Sequence, residues 1–244
     1  MDSSSGKIVV AFDLYGTLLS TESIAKDLAN HFGVETSQAI AALWRRYQLE
    51  YTWRLNSIGQ YQPFSDITRS SLCHALDDAS QSLSSEAIDS LLMAYDSLSA
   101  FPDVTPALQT LAEHANIVPV VFSNGTQRMV TNSVTHSPDL SPFSKTFDRI
   151  VTVEEVRKFK PAPEVYEYLA VEVGKTKEQM GEIWLVSGNP FDVVGARNAG
   201  MQAVWVDRPG HGWTDRLLKP ETGKPTVVVK GLDEVVGAVT KSFL

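Results

Sequence analysis

Residues 8–19 read IVVAFDLYGTLL, and the first five of them decide the fold. Ile8, Val9, Val10, Ala11 and Phe12 are apolar without alternation, so a strand made of them needs cover on both faces, which a parallel sheet flanked by helices provides. The run stops at Asp13 and the turn Tyr15-Gly16-Thr17. Similar runs recur at 117–122 (IVPVVF), 149–153 (RIVTV), 182–187 (EIWLVS), 202–206 (QAVWV) and 226–230 (TVVVK). Helix-like segments at 103–114, 126–134, 161–173 and 190–199 separate most of them. Pro119 has no N–H to give a ladder, so the second strand is expected to begin near Val120.

Residues 21–99 break this alternation. They hold no convincing strand and read as helices over roughly 22–32, 36–56, 64–79 and 85–97. In the second, Ile40, Leu43, Trp44, Tyr47 and Tyr51 follow helical spacing and form one stripe for burial. Trp44 and Trp53 are both expected in the core of this block. The expected organisation is an α/β core of residues 1–20 and 100–244, a parallel sheet interrupted by a helical cap of residues 21–99.

Composition bounds the function. The chain has 244 residues, 43% hydrophobic and 20% charged, enough to bury a sizeable core. Its net charge of −8 argues against a nucleic-acid or acidic-membrane surface. Cys73 is the single cysteine, which excludes an intrachain disulfide and a cysteine-cluster metal site. The opening MDSSSGK lacks the apolar stretch of a secretory signal, and no apolar segment reaches the ~20 residues needed to span a bilayer. A cytoplasmic protein with no membrane partner is the expectation.

Ligands of open parallel sheets sit at the carboxyl ends of strands. Asp13 follows the first run, Ser123-Asn124-Gly125 the second, and Ser187-Gly188-Asn189-Pro190-Phe191-Asp192 the fourth, while Lys160-Pro161 opens the helix after the third. Taken singly, Ser123 or Asn189 reads as a turn former or helix cap. Together they place two carboxylates, one ammonium and several neutral hydrogen-bonding groups at one edge.

DLYGTLL (13–19), FSNG (122–125), FKPAPEVY (159–166) and SGNPFD (187–192) resemble the four motifs of the haloacid dehalogenase superfamily. ALWRRYQLEYTW (42–53) is similar to a stretch of the cap in L-2-haloacid dehalogenases. That resemblance covers nearly the whole chain. It implies a Rossmann-like α/β core with a helical cap, and hydrolysis of short L-2-haloalkanoic acids to D-2-hydroxy acids through an aspartyl ester, without metal or cofactor, and commonly as a homodimer. On this basis Asp13 is the nucleophile, Lys160 holds it ionised, and Thr17 steadies it. Asp192 positions or deprotonates the hydrolytic water, with Ser187 and Asn189 orienting it. Arg45 and Asn124 take the halide ion, and Ser123 with the backbone N–H groups of Leu14 and Tyr15 takes the substrate carboxylate. Leu14, Tyr15, Leu49, Phe64 and Phe191 form the apolar wall, and Tyr166 donates a hydrogen bond inside the pocket. Family members usually carry an uncharged residue where this chain has Arg46, and often a larger aromatic where it has Phe191.

The superfamily also holds Mg²⁺-dependent phosphatases, which resemble one another in carrying a second aspartate two positions after the nucleophile. Here that position is Tyr15, and the fourth motif supplies only one acid, Asp192, a poor match to a cation that wants several hard oxygen ligands. A halide leaves as an anion and needs no general acid. A phosphatase acting on a small phosphate ester, and a capped protein that binds carboxylates without chemistry, are the competing expectations. The five histidines lie scattered, with no ligand spacing.

Overall fold

The structure, a computed structural model, describes residues 7–241; residues 1–6 and 242–244, the two ends of the expected core, lie outside the described residues. Six strands form one sheet: β1 (Ile8–Phe12), β2 (Ile117–Ser123), β3 (Arg149–Thr152), β4 (Ile183–Ser187), β5 (Gln202–Val206) and β6 (Val227–Val229). All neighbours pair in parallel, in the order β3-β2-β1-β4-β5-β6. Every residue of β1 and β4 is buried, as their unbroken apolar runs require. β1 lies between β2 and β4, where the strand order reverses, and that is where a doubly wound sheet opens a crevice at its carboxyl edge.

Pro119 corrects one expectation, because β2 runs straight through it and pairs it with Val10. The Pro119 carbonyl accepts from Asp148 N at 2.8 Å, so its own nitrogen faces the β3 side. The β3 ladder starts one residue later, at Val120–Arg149, and the missing donor costs no ladder bond.

Between β1 and the next core helix, a 3₁₀ turn (Thr21–Ile24) leads into α1 (Ala25–Leu28), α2 (Val34–Ser57), α3 (Phe64–Asp78) and α4 (Ser85–Tyr95). The rest of the chain follows as α5 (Val104–Ala112), α6 (Gln127–His136), α7 (Pro163–Glu172), α8 (Pro190–Asn198), α9 (Pro220–Gly223) and α10 (Val235–Lys241). The two crossings between sheet and inserted helices run side by side: Ser20 N donates to Ser99 O at 2.9 Å and Phe101 N to Leu18 O at 3.2 Å. Trp44 is buried, its Nε1 donating to Thr68 O at 2.8 Å and its ring 5.1 Å from that of Tyr95. Trp53 is instead 40% exposed, against expectation. It sits nine residues after Trp44, about 180° round a helix of 3.6 residues per turn, and so faces away from the buried stripe. Among the described residues no helix is long and apolar enough to cross a membrane.

α7 and α8 pack so closely that Gly195 has no room for a side chain. A Cβ there would collide with the Tyr166 hydroxyl and stand 2.7 Å from Pro161 Cβ. Since Tyr166 is fully buried and cannot swing aside, Gly195→Ala is expected to destabilise the protein by about 1–3 kcal/mol, the usual cost of overpacking. Chemical denaturation of the variant beside the parent measures this.

Candidate active site

The chain turns sharply after β1. Leu14 O accepts from the N–H groups of Thr17, Leu18 and Leu19, and Gly16 adopts φ +86°, a conformation open to glycine. The turn folds Thr17 back under Asp13, where its hydroxyl donates to Asp13 Oδ2 at 2.8 Å. From the neighbouring end of β4, Asn189 Nδ2 reaches the same oxygen at 2.7 Å and Ser187 Oγ at 3.3 Å. The two turns approach so closely that a Cβ on Gly188 would lie 2.6 Å from Gly16 O.

Asp13 Oδ1 is held differently. Among the described residues its one hydrogen bond comes from Lys160 Nζ at 3.1 Å. Lys160 is 1% exposed and spends all three ammonium protons: on Asp13, on Asp192 Oδ2 at 2.8 Å and on Phe122 O at 2.8 Å. The Phe122 ring face, 4.1 Å away, adds a cation–π contact. Asp192 is fully buried at the start of α8 and also accepts from the Tyr166 hydroxyl at 2.7 Å.

Two carboxylates therefore share one cation in a place with little water. Burial, reinforced by the nearby charge of Asp13 and opposed by Lys160, raises Asp192 to about 6. Burial likewise keeps Tyr166 neutral, with Asp192 adding to the effect, so the phenol stays a donor.

Tyr15 stands where a phosphatase would carry its second aspartate. Burial pushes its hydroxyl far up, and the ring stacks on Phe64 at 5.8 Å and tilts against Tyr95 at 5.5 Å. This position presents an aromatic face to the crevice wall and no acid.

Arg45 reaches the same crevice from α2. Its Nη2 donates to Tyr15 O at 3.1 Å and to Asn189 Oδ1 at 3.4 Å. Arg46 points elsewhere, its guanidinium over the Tyr47 ring at 4.6 Å and its side chain 60% exposed. Ser123 is buried at the end of β2; its Oγ accepts from Gly125 N at 3.1 Å, which leaves its proton to donate. Asn124 Oδ1 accepts from Lys160 N at 2.9 Å. The N–H groups of Leu14 and Tyr15 make no hydrogen bond among the described residues. Leu14 is fully buried, and Leu49 is half-buried one turn beyond Arg45. Phe191 packs edge-on against Trp53 at 5.4 Å.

Three supporting residues escaped the sequence. Gln48 is buried, accepts from Arg45 Nη1 at 2.8 Å and from the Tyr95 hydroxyl at 3.0 Å, and donates to Thr68 at 2.9 Å. A polar residue one turn after Trp44, on the buried stripe, was its signal. Arg208 pairs with Asp103 at 3.0 Å and donates to Thr17 O at 2.8 Å. Asn56 binds the backbone of Phe159. Neither of these two stands out in sequence, because each contact joins segments more than a hundred residues apart.

A sequence model of haloacid dehalogenase-like hydrolases matches residues 9–200. The chain belongs to this family. Within the haloacid dehalogenase-like hydrolases it is 34% identical to an (S)-2-haloacid dehalogenase of Pseudomonas fluorescens, over 95% of this chain and 96% of the relative. An (S)-2-haloacid dehalogenase of Pseudomonas putida is 33% identical over 96% and 97%. Among solved structures, the L-2-haloacid dehalogenase of Xanthobacter autotrophicus with chloropropionic acid covalently bound superposes with a TM-score of 0.83 at 26% identity, covering 96% of this chain and 98% of that one. The Rossmann-like α/β fold expected for this family is the one the six parallel strands adopt.

Removing the shared cation would leave two buried carboxylates facing each other. Lys160→Met is expected to cost about 3–5 kcal/mol, the usual effect of breaking a buried ion pair from one side. Urea unfolding at neutral pH measures it, and the loss should shrink as the pH falls through about 6 and Asp192 takes up a proton.

Proposed function

We propose that this protein hydrolyses short L-2-haloalkanoic acids to D-2-hydroxy acids through an ester on Asp13, with the helices of residues 21–99 as the cap over the site. The observation that carries the proposal is the asymmetry of Asp13, with three donors around Oδ2 and, among the described residues, only Lys160 at Oδ1. Oδ1 is the oxygen free to attack.

In the first step Oδ1 attacks C2 opposite the halogen. The new C–O bond forms as the carbon–halogen bond breaks, the electron pair leaves with the halide, and the carbon inverts. Arg45 and Asn124 receive the ion; a guanidinium is permanently charged and weakly hydrated, which suits a soft monovalent anion. Ser123 and the N–H groups of Leu14 and Tyr15 hold the substrate carboxylate, while Leu14, Tyr15, Leu49, Phe64 and Phe191 line the alkyl group. A carboxylate is a better nucleophile out of water, and the cap supplies that exclusion.

In the second step Asp192 takes a proton from water, whose oxygen attacks Asp13 Cγ. Negative charge develops on Oδ2, where Thr17, Ser187 and Asn189 already donate. Collapse breaks the Cγ–Oδ1 bond, the hydroxy acid leaves with the proton from Asp192, and the second proton of the water is released to solvent as Asp13 regains a carboxylate. Lys160 neutralises Asp13 and Asp192 in turn, and Tyr166 orients Asp192. No cofactor enters these steps. Tyr15 in place of a second acid counts against a phosphatase. A cytoplasmic location and a homodimer belong to the same proposal, the latter supported by the exposed Trp53 and Ile58 on and just beyond α2.

Racemic 2-chloropropionate is the test substrate. Chloride release should stop at half conversion with only the L enantiomer consumed, and EDTA should leave the rate unchanged; hydrolysis of a phosphate ester that EDTA abolishes would overturn the proposal.

The raised Asp192 sets the pH dependence. Protonation as the pH falls through about 6 removes the base, so kcat should decline on that side. Because folding raises this group from 3.8, the stability it contributes is present below pH 3.8 and lost as pH rises through about 6. Activity and this part of the stability thus move in opposite directions across the window, which paired kcat and unfolding measurements from pH 4 to 8 would reveal.

A further inference from the structure

α2 is fastened to the sheet domain at two places about 16 Å apart along its axis, given the 1.5 Å rise per residue between Arg45 and Asn56. Arg45 is the first. The second is Asn56, in the last turn of α2, whose Nδ2 donates to Phe159 O at 2.7 Å while its Oδ1 accepts from Phe159 N at 3.0 Å. A side-chain amide paired with both polar groups of one backbone residue imitates a strand partner. Among the described residues, no other acceptor binds the Phe159 N–H.

The grip continues beyond the amide. The Tyr61 ring stacks on Phe159 at 5.3 Å and Phe64 tilts against it at 6.2 Å, both from the inserted helical block. Phe159 is fully buried by these contacts and immediately precedes Lys160. Lys160 N in turn donates to Asn124 Oδ1 at 2.9 Å, committing that oxygen and leaving the Asn124 amide nitrogen as a donor. One chain of contacts thus runs from the end of α2 through Phe159 to Lys160 and Asn124.

We infer that Asn56 is a positioning residue, locking the inserted helices onto the segment that carries Lys160, so that covering the site and seating the ammonium and the halide-side amide are a single event. Parting the helices from the sheet would break both amide bonds and unstack Tyr61, releasing the Lys160 backbone at the moment water enters. The inference rests on the proposed roles of Asp13, Lys160 and Asn124, and it assigns to Asn56 no contact with substrate.

The test uses the full-length enzyme with Asn56→Leu, which removes both bonds at similar size, and Asn56→Asp, which keeps the acceptor for Phe159 N and loses the donor. Amide hydrogen exchange over residues 157–162 is read beside the single-turnover release of chloride from L-2-chloropropionate. Asn56→Leu should exchange at Phe159 at least tenfold faster and release chloride roughly tenfold more slowly, with Asn56→Asp between it and the parent, the scale expected for losing a few net hydrogen bonds. Exchange in β1 and β4 should stay at parent values, which separates loss of positioning from general loosening. Faster exchange at Phe159 with unchanged chloride release would overturn the inference and leave the dehalogenase proposal standing, as would unchanged exchange. A parent enzyme that releases no chloride would overturn that proposal instead, whatever the exchange shows.

Discussion

The ammonium of Lys160 stands between Asp13 and Asp192 in a crevice with almost no exposure, and each of its protons has an acceptor. Two carboxylates this deep repel one another and would favour protonation; one cation between them keeps the site in a charge state fit for nucleophilic attack. The strand order makes the arrangement possible, because β1 and β4 are neighbours at the point where the sheet reverses. Their carboxyl ends deliver Asp13, Ser187 and Asn189 to one spot, and the segment after β3 brings Lys160 across it. Helix α8 begins there and supplies Asp192.

The same geometry divides the two oxygens of Asp13. A crowded oxygen already surrounded by donors suits the charge that develops when water attacks an ester, and an open one suits the initial displacement. Donors placed in advance need little reorganisation as charge moves, which is where preorganised sites gain most. The inserted helices complete the environment. They bring the guanidinium of Arg45, backed by Gln48, to a crevice that otherwise carries a net negative charge.

Much of this was legible in the residues. Unbroken apolar runs such as 8–12 and 183–186 announce strands buried on both faces, and polar residues directly after them mark the edge at which the proposed site lies. The helices between β1 and β2 were visible because Ile40, Trp44 and Tyr47 keep a helical period where no strand run occurs. What failed were inferences from residue type without position. Trp53 looked like core but falls on the far side of α2, and Pro119 looked like a strand breaker but directs its missing donor beyond the end of the β3 ladder. The contacts of Asn56 and Arg208 could not be read at all, since they depend on tertiary meetings between segments with no shared pattern.

The central claim is that an aspartate side chain bonds transiently to carbon. A single turnover of L-2-chloropropionate with enzyme in excess, run in H₂¹⁸O and followed by mass analysis of the peptide containing Asp13 and of the released lactate, tests it most directly. The expected result is heavy oxygen in the Asp13 side chain and none in the first lactate formed. Heavy oxygen appearing in that first lactate, with Asp13 unlabelled, would mean that water attacks the substrate itself.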